Sequence, residues 1–178
     1  ILPLVLHIKD LDIEQRYEWT QKVSSITHGH VRSVMACFYY LEFARKIISG
    51  KEKFQAYNEL QSEVTMYFES RKINPLEIQK FSRLLFEDIS KVEEDNIKSS
   101  GYVLHTLEAS VWCLLTTNSY KEAVLKAVNL GSDTDTTAAV TGGLSGLYYG
   151  IDEIPIDWLY EIARFEDIIE LSDRYEIK

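Results

Sequence analysis

The sequence predicts an all-α protein, on three observations. Its 178 residues include only eight Gly and three Pro, apolar residues recur at intervals of three and four, and no stretch alternates apolar with polar residues as a strand would. With 46% apolar and 26% charged residues, a chain of this length buries a sizeable core, and residues 1–178 read as one domain.

The apolar opening Ile1-Leu2-Pro3-Leu4-Val5-Leu6, followed by His7 and Lys9, falls far short of the ~20 residues that span a bilayer. It also lacks the basic start of a signal peptide. Without an initiator Met, we expect it to be the cut end of a longer chain. Asp12 with Gln15 has the pattern of a capping box and opens a helix to about Ile26. A strongly apolar helix follows from about His28 to Ile48 and stops at Ser49-Gly50. Lys51 to Ser70 is a third helix, with Phe54, Tyr57, Leu60, Val64, Tyr67 and Phe68 on one face. Residues 71–100 are the most polar and read as short helices joined by loops, with the acidic run Glu93-Glu94-Asp95 on the surface. Tyr102 to Thr117 is an apolar helix, and Ser119 with Glu122 is a second capping box that opens Tyr120–Leu130. Asp133 or Asp135 begins a helix that reaches Tyr149. Pro155 and Asp157 restart the chain in terminal helices whose Trp158, Leu159, Ile162 and Phe165 are expected to face the core.

Nineteen Lys and Arg against 28 Asp and Glu leave a net charge of −9. Nucleic-acid affinity needs clustered cations, so this balance argues against a general phosphate-backbone binder. A surplus of acid is compatible with cation binding. Cys37 and Cys113 lie in apolar, helix-like stretches with no CxxC partner and read as reduced core residues of a cytoplasmic protein.

Chemistry concentrates in Gly131-Ser132-Asp133-Thr134-Asp135-Thr136-Thr137, where two carboxylates and several hydroxyls crowd a turn into a helix. All are hard oxygen donors, which suit Mg²⁺, Mn²⁺ or Ca²⁺ better than zinc. One Asp would serve as a helix cap. Two Asp plus Thr136 exceed what a cap needs, so the residues alone leave a cap and a metal or phosphate-type site both open. Asp133-x-Asp135-x-Thr137 also fits the DxDxT start of haloacid-dehalogenase-type phosphatases, but the segment before it reads as a capped helix where that motif requires a strand. An EF-hand fails at Ala138 and Leu144, which stand where Gly and Glu are needed. Ala138, Gly142, Gly146 and Gly150 share one helix face. Each interior Gly costs ~1 kcal/mol relative to Ala, so the stripe implies close neighbours, and the adjacent polar residues favour a buried helix pair over a membrane interface.

The string AVNLGSDTDTTAAVTGGLSG at residues 127–146 closely resembles the ADP-ribosylglycohydrolase family, which includes the dinitrogenase-reductase-activating glycohydrolases. SGYVLHTLEASVW at 100–112 resembles the family's preceding helix, and SITHGH at 25–30 its histidine segment. The resemblance implies an orthogonal multi-helix bundle with two Mg²⁺ or Mn²⁺ ions at an ADP-ribose cleft, and an ADP-ribosylated protein or small ADP-ribose conjugate as substrate. Asp133, Asp135 and Thr136 match the family's C-terminal metal ligands, with Asp133 the expected bridging one. His28, Gly101, Tyr102 and Ser132 match substrate-binding positions, Ser132 standing where the family has Gly. On its own residues, His28 at a helix start reads more readily as a cap, Tyr102 equally as a core aromatic, and His105 with Glu108 as a local or surface pair rather than a metal pair.

The family's [ST]-D-D and GDxxG motifs have no counterpart here, and its acid or base carboxylate belongs with them. The resemblance therefore implies the C-terminal part of an enzyme that is inactive alone, binds metal weakly or not at all, and completes its site with an N-terminal segment or a homodimer partner. A non-catalytic ADP-ribose-binding or structural protein of the same fold is the second reading.

Overall fold

Helix boundaries follow the local signals closely. The computed structural model describes residues 1–176. Among them run α1 (Leu4–Ile8), α2 (Ile13–Ser24), α3 (Val31–Ile48), α4 (Lys53–Ser70), α5 (Pro75–Gln79), α6 (Ser82–Leu85), α7 (Val103–Leu115), α8 (Tyr120–Asn129), α9 (Thr134–Tyr149), α10 (Ile156–Tyr160) and α11 (Phe165–Glu176), with 3₁₀ turns at Ile89–Lys91, Glu94–Asn96 and Ile151–Glu153 and no strand. The Asp12–Gln15 capping box forms in both directions. The second box is displaced by one residue. Ser119 Oγ accepts the Glu122 N–H at 3.1 Å, but the Glu122 carboxylate accepts from Asn118 N–H at 2.9 Å.

Helices α3 and α7 are apolar on nearly every side and form the interior of the bundle. Phe38, Tyr39, Phe43, Val111, Cys113 and Leu114 are fully buried. Helices α2 and α4 pack against α3, and α9 packs between α8, α7 and α3. An ionic network ties α2, α3 and α4 together. Arg16 Nε donates to Glu42 Oε1 at 2.5 Å and Arg16 Nη2 to Glu42 Oε2 at 2.8 Å, both residues being buried. Arg45 and Lys46 meet Glu63 from the same helix face. Burial alone would raise the Glu63 carboxyl pKa, but Lys46, Arg45 and Arg16 overcome it and hold it below the ordinary range. At the far end of α7, buried Lys53 donates to the Leu114 and Thr117 carbonyls, supplying a cation where a helix C-terminus leaves acceptors free.

Several sequence expectations change here. Helix α2 ends at Ser24 and α3 starts only at Val31, so His28 lies in an exposed loop and the cap of α3 is His30, whose Nδ1 accepts from Arg32 N–H at 3.1 Å. Phe54 is exposed because the inward position of the first turn of α4 is taken by Lys53. Trp158, Leu159 and Phe165 are half-buried and Ile162 is exposed, since α3 and α7 already fill the interior and the terminal helices rest outside it. Trp158 sits against Tyr120 of α8, ring centroids 6.3 Å apart. Cys113 is buried and Cys37 partly so, both unpaired, and burial pushes the Cys113 thiol up to about 12.

The glycines of α9 do different work. Gly150, at φ +87°, terminates the helix and is not part of its packing face. A Cβ at Gly146 would meet Tyr120 at an ordinary 3.8 Å, and one at Gly142 would come within 3.3 Å of the Tyr120 hydroxyl. The tightest approach falls off the predicted stripe, at Gly143, where a Cβ would lie 2.6 Å from Tyr40 Oη and 2.8 Å from Leu2. Tyr40 cannot swing aside cheaply, because it is buried and its hydroxyl donates to the Val140 carbonyl at 2.9 Å. Gly143→Ala is accordingly expected to lose ~1–3 kcal/mol to overpacking. Gly146→Ala should gain up to ~1 kcal/mol from helix propensity. Denaturant unfolding of the two variants would show the opposite signs.

Candidate functional site

The turn into α9 needs unusual backbone. Gly131 and Ser132 both have positive φ, +79° and +59°, a conformation that glycine adopts freely and other residues at a cost. The reversal is tied to the loop before α7. Asp133 N–H donates to the Ser99 carbonyl at 2.9 Å, and Ser99 Oγ donates to the Gly131 carbonyl at 2.9 Å.

Asp133 occupies the N-cap position of α9, yet its side chain makes no capping hydrogen bond. Its carboxylate instead lies over Gly101, where a Cβ would come within 3.0 Å of Oδ2. Asp135 stands beside it. The Thr136 N–H first, then the neighbouring Asp133 side chain and Asp135's own N–H, hold the Asp135 carboxyl below the ordinary range. Asp133 is half-buried and Ser132, Asp135 and Thr136 are exposed. Among the described residues neither Asp133 nor Asp135 has an ion-pair partner. Two carboxylates and a hydroxyl close together at a helix N-terminus, with no cation among the described residues paired to them, fit one side of a hard-cation site. They do not fill a shell, and no group of three or more His, Cys, Asp and Glu able to hold a metal occurs among the described residues.

Of the other predicted residues, Gly101 is in van der Waals reach of Asp133 and Tyr102 follows at the start of α7. The Tyr102 ring is exposed, not core. It stands edge-on to His105, centroids 5.0 Å apart, with the Arg32 guanidinium 5.8 Å from its centroid. Arg32 is held by a forked pair of bonds to Glu77 at 2.9 and 2.8 Å. His28 stays apart in its loop. Its Nδ1 lies 3.0 Å from Thr27 Oγ1, and among the described residues no hydrogen bond ties it to the α9 turn. His105 and Glu108 do not pair with each other. His105 Nδ1 lies 2.7 Å from Ser100 Oγ, and Glu108 faces Arg83 at 3.5 Å. Sequence reasoning missed Ser99 and Arg32. The cation in the first turn of α3, ahead of a long apolar run, was a signal for Arg32, whereas nothing local marks Ser99.

A cavity of about 650 Å³ lies between the end of α4 and α5–α6, lined by Ile73, Pro75, Ile78 and Phe86 among others. It shares no residue with the α9 turn, which is an open surface on this chain. A Cβ on Gly131 would meet nothing within 4 Å, so backbone conformation alone sets the cost of replacing it. Gly131→Ala should lose ~1–2 kcal/mol and Gly131→Asn less, because Asn tolerates this region. Equal losses in denaturant melts would contradict that account.

Comparison with known proteins gives the family. The ADP-ribosylglycohydrolase family profile matches residues 1–178. The chain is 30% identical over 165 residues to an ADP-ribosylarginine hydrolase, Tri1, of Serratia proteamaculans, the match covering 91% of this chain and 41% of that protein. It is 26% identical to the ADP-ribosyl-[dinitrogen reductase] glycohydrolase of Rhodospirillum rubrum over 81% of this chain and 42% of the relative. The chain thus spans about two fifths of the length of these curated relatives. A solved structure titled ADP-ribosylglycohydrolase-related protein complex superposes with a TM-score of 0.73 at 26% identity, over 93% of this chain and 53% of the other. The all-α bundle is therefore of the ADP-ribosylglycohydrolase type, and by profile, sequence and fold the chain belongs to the ADP-ribosylglycohydrolase family.

Proposed function

We propose that the chain supplies one side of the site of an enzyme that hydrolyses an ADP-ribosyl glycosidic bond, releasing ADP-ribose from a protein or a small acceptor. The observation that carries this reading is the Asp133 carboxylate, which is not spent on capping α9 but lies over Gly101, with Asp135 beside it. Asp133, Asp135 and Thr136 would hold Mg²⁺ or Mn²⁺. Bound there, such ions supply charge stabilisation and orientation for the bond at the anomeric carbon. The names of the relatives, ADP-ribosylarginine hydrolase and ADP-ribosyl-[dinitrogen reductase] glycohydrolase, support the bond class.

The chain's own part is positional. Gly101, without a side chain, leaves Asp133 Oδ2 open to a ligand from the α7 side. Tyr102 offers a ring face to adenine or ribose, its edge fixed by His105. We assign Ser132, beside the two carboxylates, and His28, on the loop between α2 and α3, to contacts with the ribose or phosphate of the ligand. The acid or base and the remaining metal ligands come from outside these 178 residues, either from a further segment of the intact protein or from a second copy. We place the reaction in the cytoplasm, where the unpaired Cys37 and Cys113 would stay reduced.

Asp135→Ala in the intact protein should lower metal-dependent ADP-ribose release by more than the ~10- to 100-fold that outer-shell changes cost. Release that is unchanged would refute the metal role, and ADP-ribose binding without turnover in the unaltered protein would favour the non-catalytic reading. Two carboxylates and a hydroxyl leave most of an octahedral shell to water, so the 178-residue chain by itself should bind Mg²⁺ only weakly. A micromolar dissociation constant by calorimetry would contradict the half-site.

A further inference from the structure

The Ser99–Tyr102 loop is held from both sides. Toward α9, Ser99 takes the Asp133 N–H and gives its hydroxyl proton to Gly131. Toward α7, Ser100 Oγ meets His105 Nδ1 at 2.7 Å, Thr106 Oγ1 donates to the Ser100 carbonyl at 3.3 Å, and Tyr102 N–H donates to Ser100 Oγ at 3.4 Å. Gly101 lies between the two grips, beneath the Asp133 carboxylate. Side chains on a helix lean toward its N-terminus, so His105, in the first turn of α7, reaches back over this loop.

Building on the hydrolase reading above, we propose that His105 is a positioning residue of the α9 site. Through Ser100 it fixes the loop in the shape that lays Gly101 against Asp133 and sets the Tyr102 ring beside it. In the proposed arrangement Ser100 Oγ, which receives the Tyr102 N–H, gives its own proton to Nδ1, and the neutral imidazole carries its proton on Nε2. Burial, with Lys98 and Arg83 nearby, lowers the pKa of the ring from its ordinary value, which agrees with a neutral acceptor at pH 7. Glu108, the carboxylate that would otherwise favour imidazolium on the same helix, is directed to Arg83.

The test uses the intact protein. Nitrogen-15 NMR at pH 7 should show His105 unprotonated at Nδ1 and protonated at Nε2. His105→Ala should speed exchange of the Asp133 amide by about 10-fold, the worth of roughly one lost hydrogen bond, while the buried amides of Val111 and Leu144 keep their rates. His105→Asn, which places a carbonyl acceptor near the position of Nδ1, should restore slow exchange. ADP-ribose release should fall by ~10- to 100-fold in His105→Ala, mainly in kcat rather than KM, and recover in His105→Asn. A proton on Nδ1, unchanged Asp133 exchange in His105→Ala, or unchanged kcat in an active protein would each overturn the proposal. If the unaltered protein releases no ADP-ribose, the hydrolase reading fails, while the tautomer and amide exchange, which need no turnover, still decide whether His105 holds the loop.

Discussion

Helix α9 lies close against three neighbours, and small side chains set that closeness. Tyr40 of α3 occupies the space that a Cβ at Gly143 would fill, Tyr120 of α8 runs past Gly142 and Gly146, and buried Thr137, Thr141 and Ser145 recur every fourth residue on a further face. On that last face Thr141 Oγ1 donates to the Thr137 carbonyl at 2.8 Å, and Ser110 Oγ of α7 approaches the same carbonyl at 3.5 Å. A helix wedged in this way has little freedom to slide or rotate, because interiors close-packed at this density do not deform continuously. Its N-terminus, and with it the pair of aspartates, inherits that fixed position. Rigid elements are where a site of demanding geometry must be mounted.

The fold was legible where its signals are local. The Asp12–Gln15 box, the stop at Ser49-Gly50 and the apolar span of α7 lie within a turn or two of the residues they govern, and the structure follows them. The errors fell where a distant partner decides. Lys53 turns inward because the carbonyl end of α7, some 60 residues later, offers it acceptors, and Phe54 is displaced to the surface as a result. The terminal helices carry an apolar face suited to a core, but α3 and α7 had already filled it. Gly143 was missed for the same reason, since the ring pressing on it belongs to a helix 100 residues away from the carbonyl it bonds.

At the site the division is similar. Asp133, Asp135 and Thr136 stood out because oxygen donors crowd within four residues. That Gly101 belongs with them follows from Ser99, which spans 32 residues to reach Gly131 by a single hydroxyl. Serine is too common in loops for that bond to be read from a sequence.

The proposed ligand role of the acidic turn rests on what Asp133 leaves undone. An N-cap side-chain bond is worth ~1 kcal/mol, and the N-cap residue of α9 forgoes it. The same turn accepts a non-glycine residue at positive φ, Ser132, and brings two carboxylates into contact in a chain of net charge −9. Each choice is unfavourable for a helix start considered alone. The phosphatase alternative does not account for them, because its nucleophile follows a strand and here α8 precedes the turn. The proposed divalent cation would, by offsetting the repulsion between the carboxylates and using the Asp133 oxygens that the helix start leaves free. The cost accepted at the turn is thus the counterpart of the packing along the rest of α9, which holds the start of the helix, and the aspartates on it, in place.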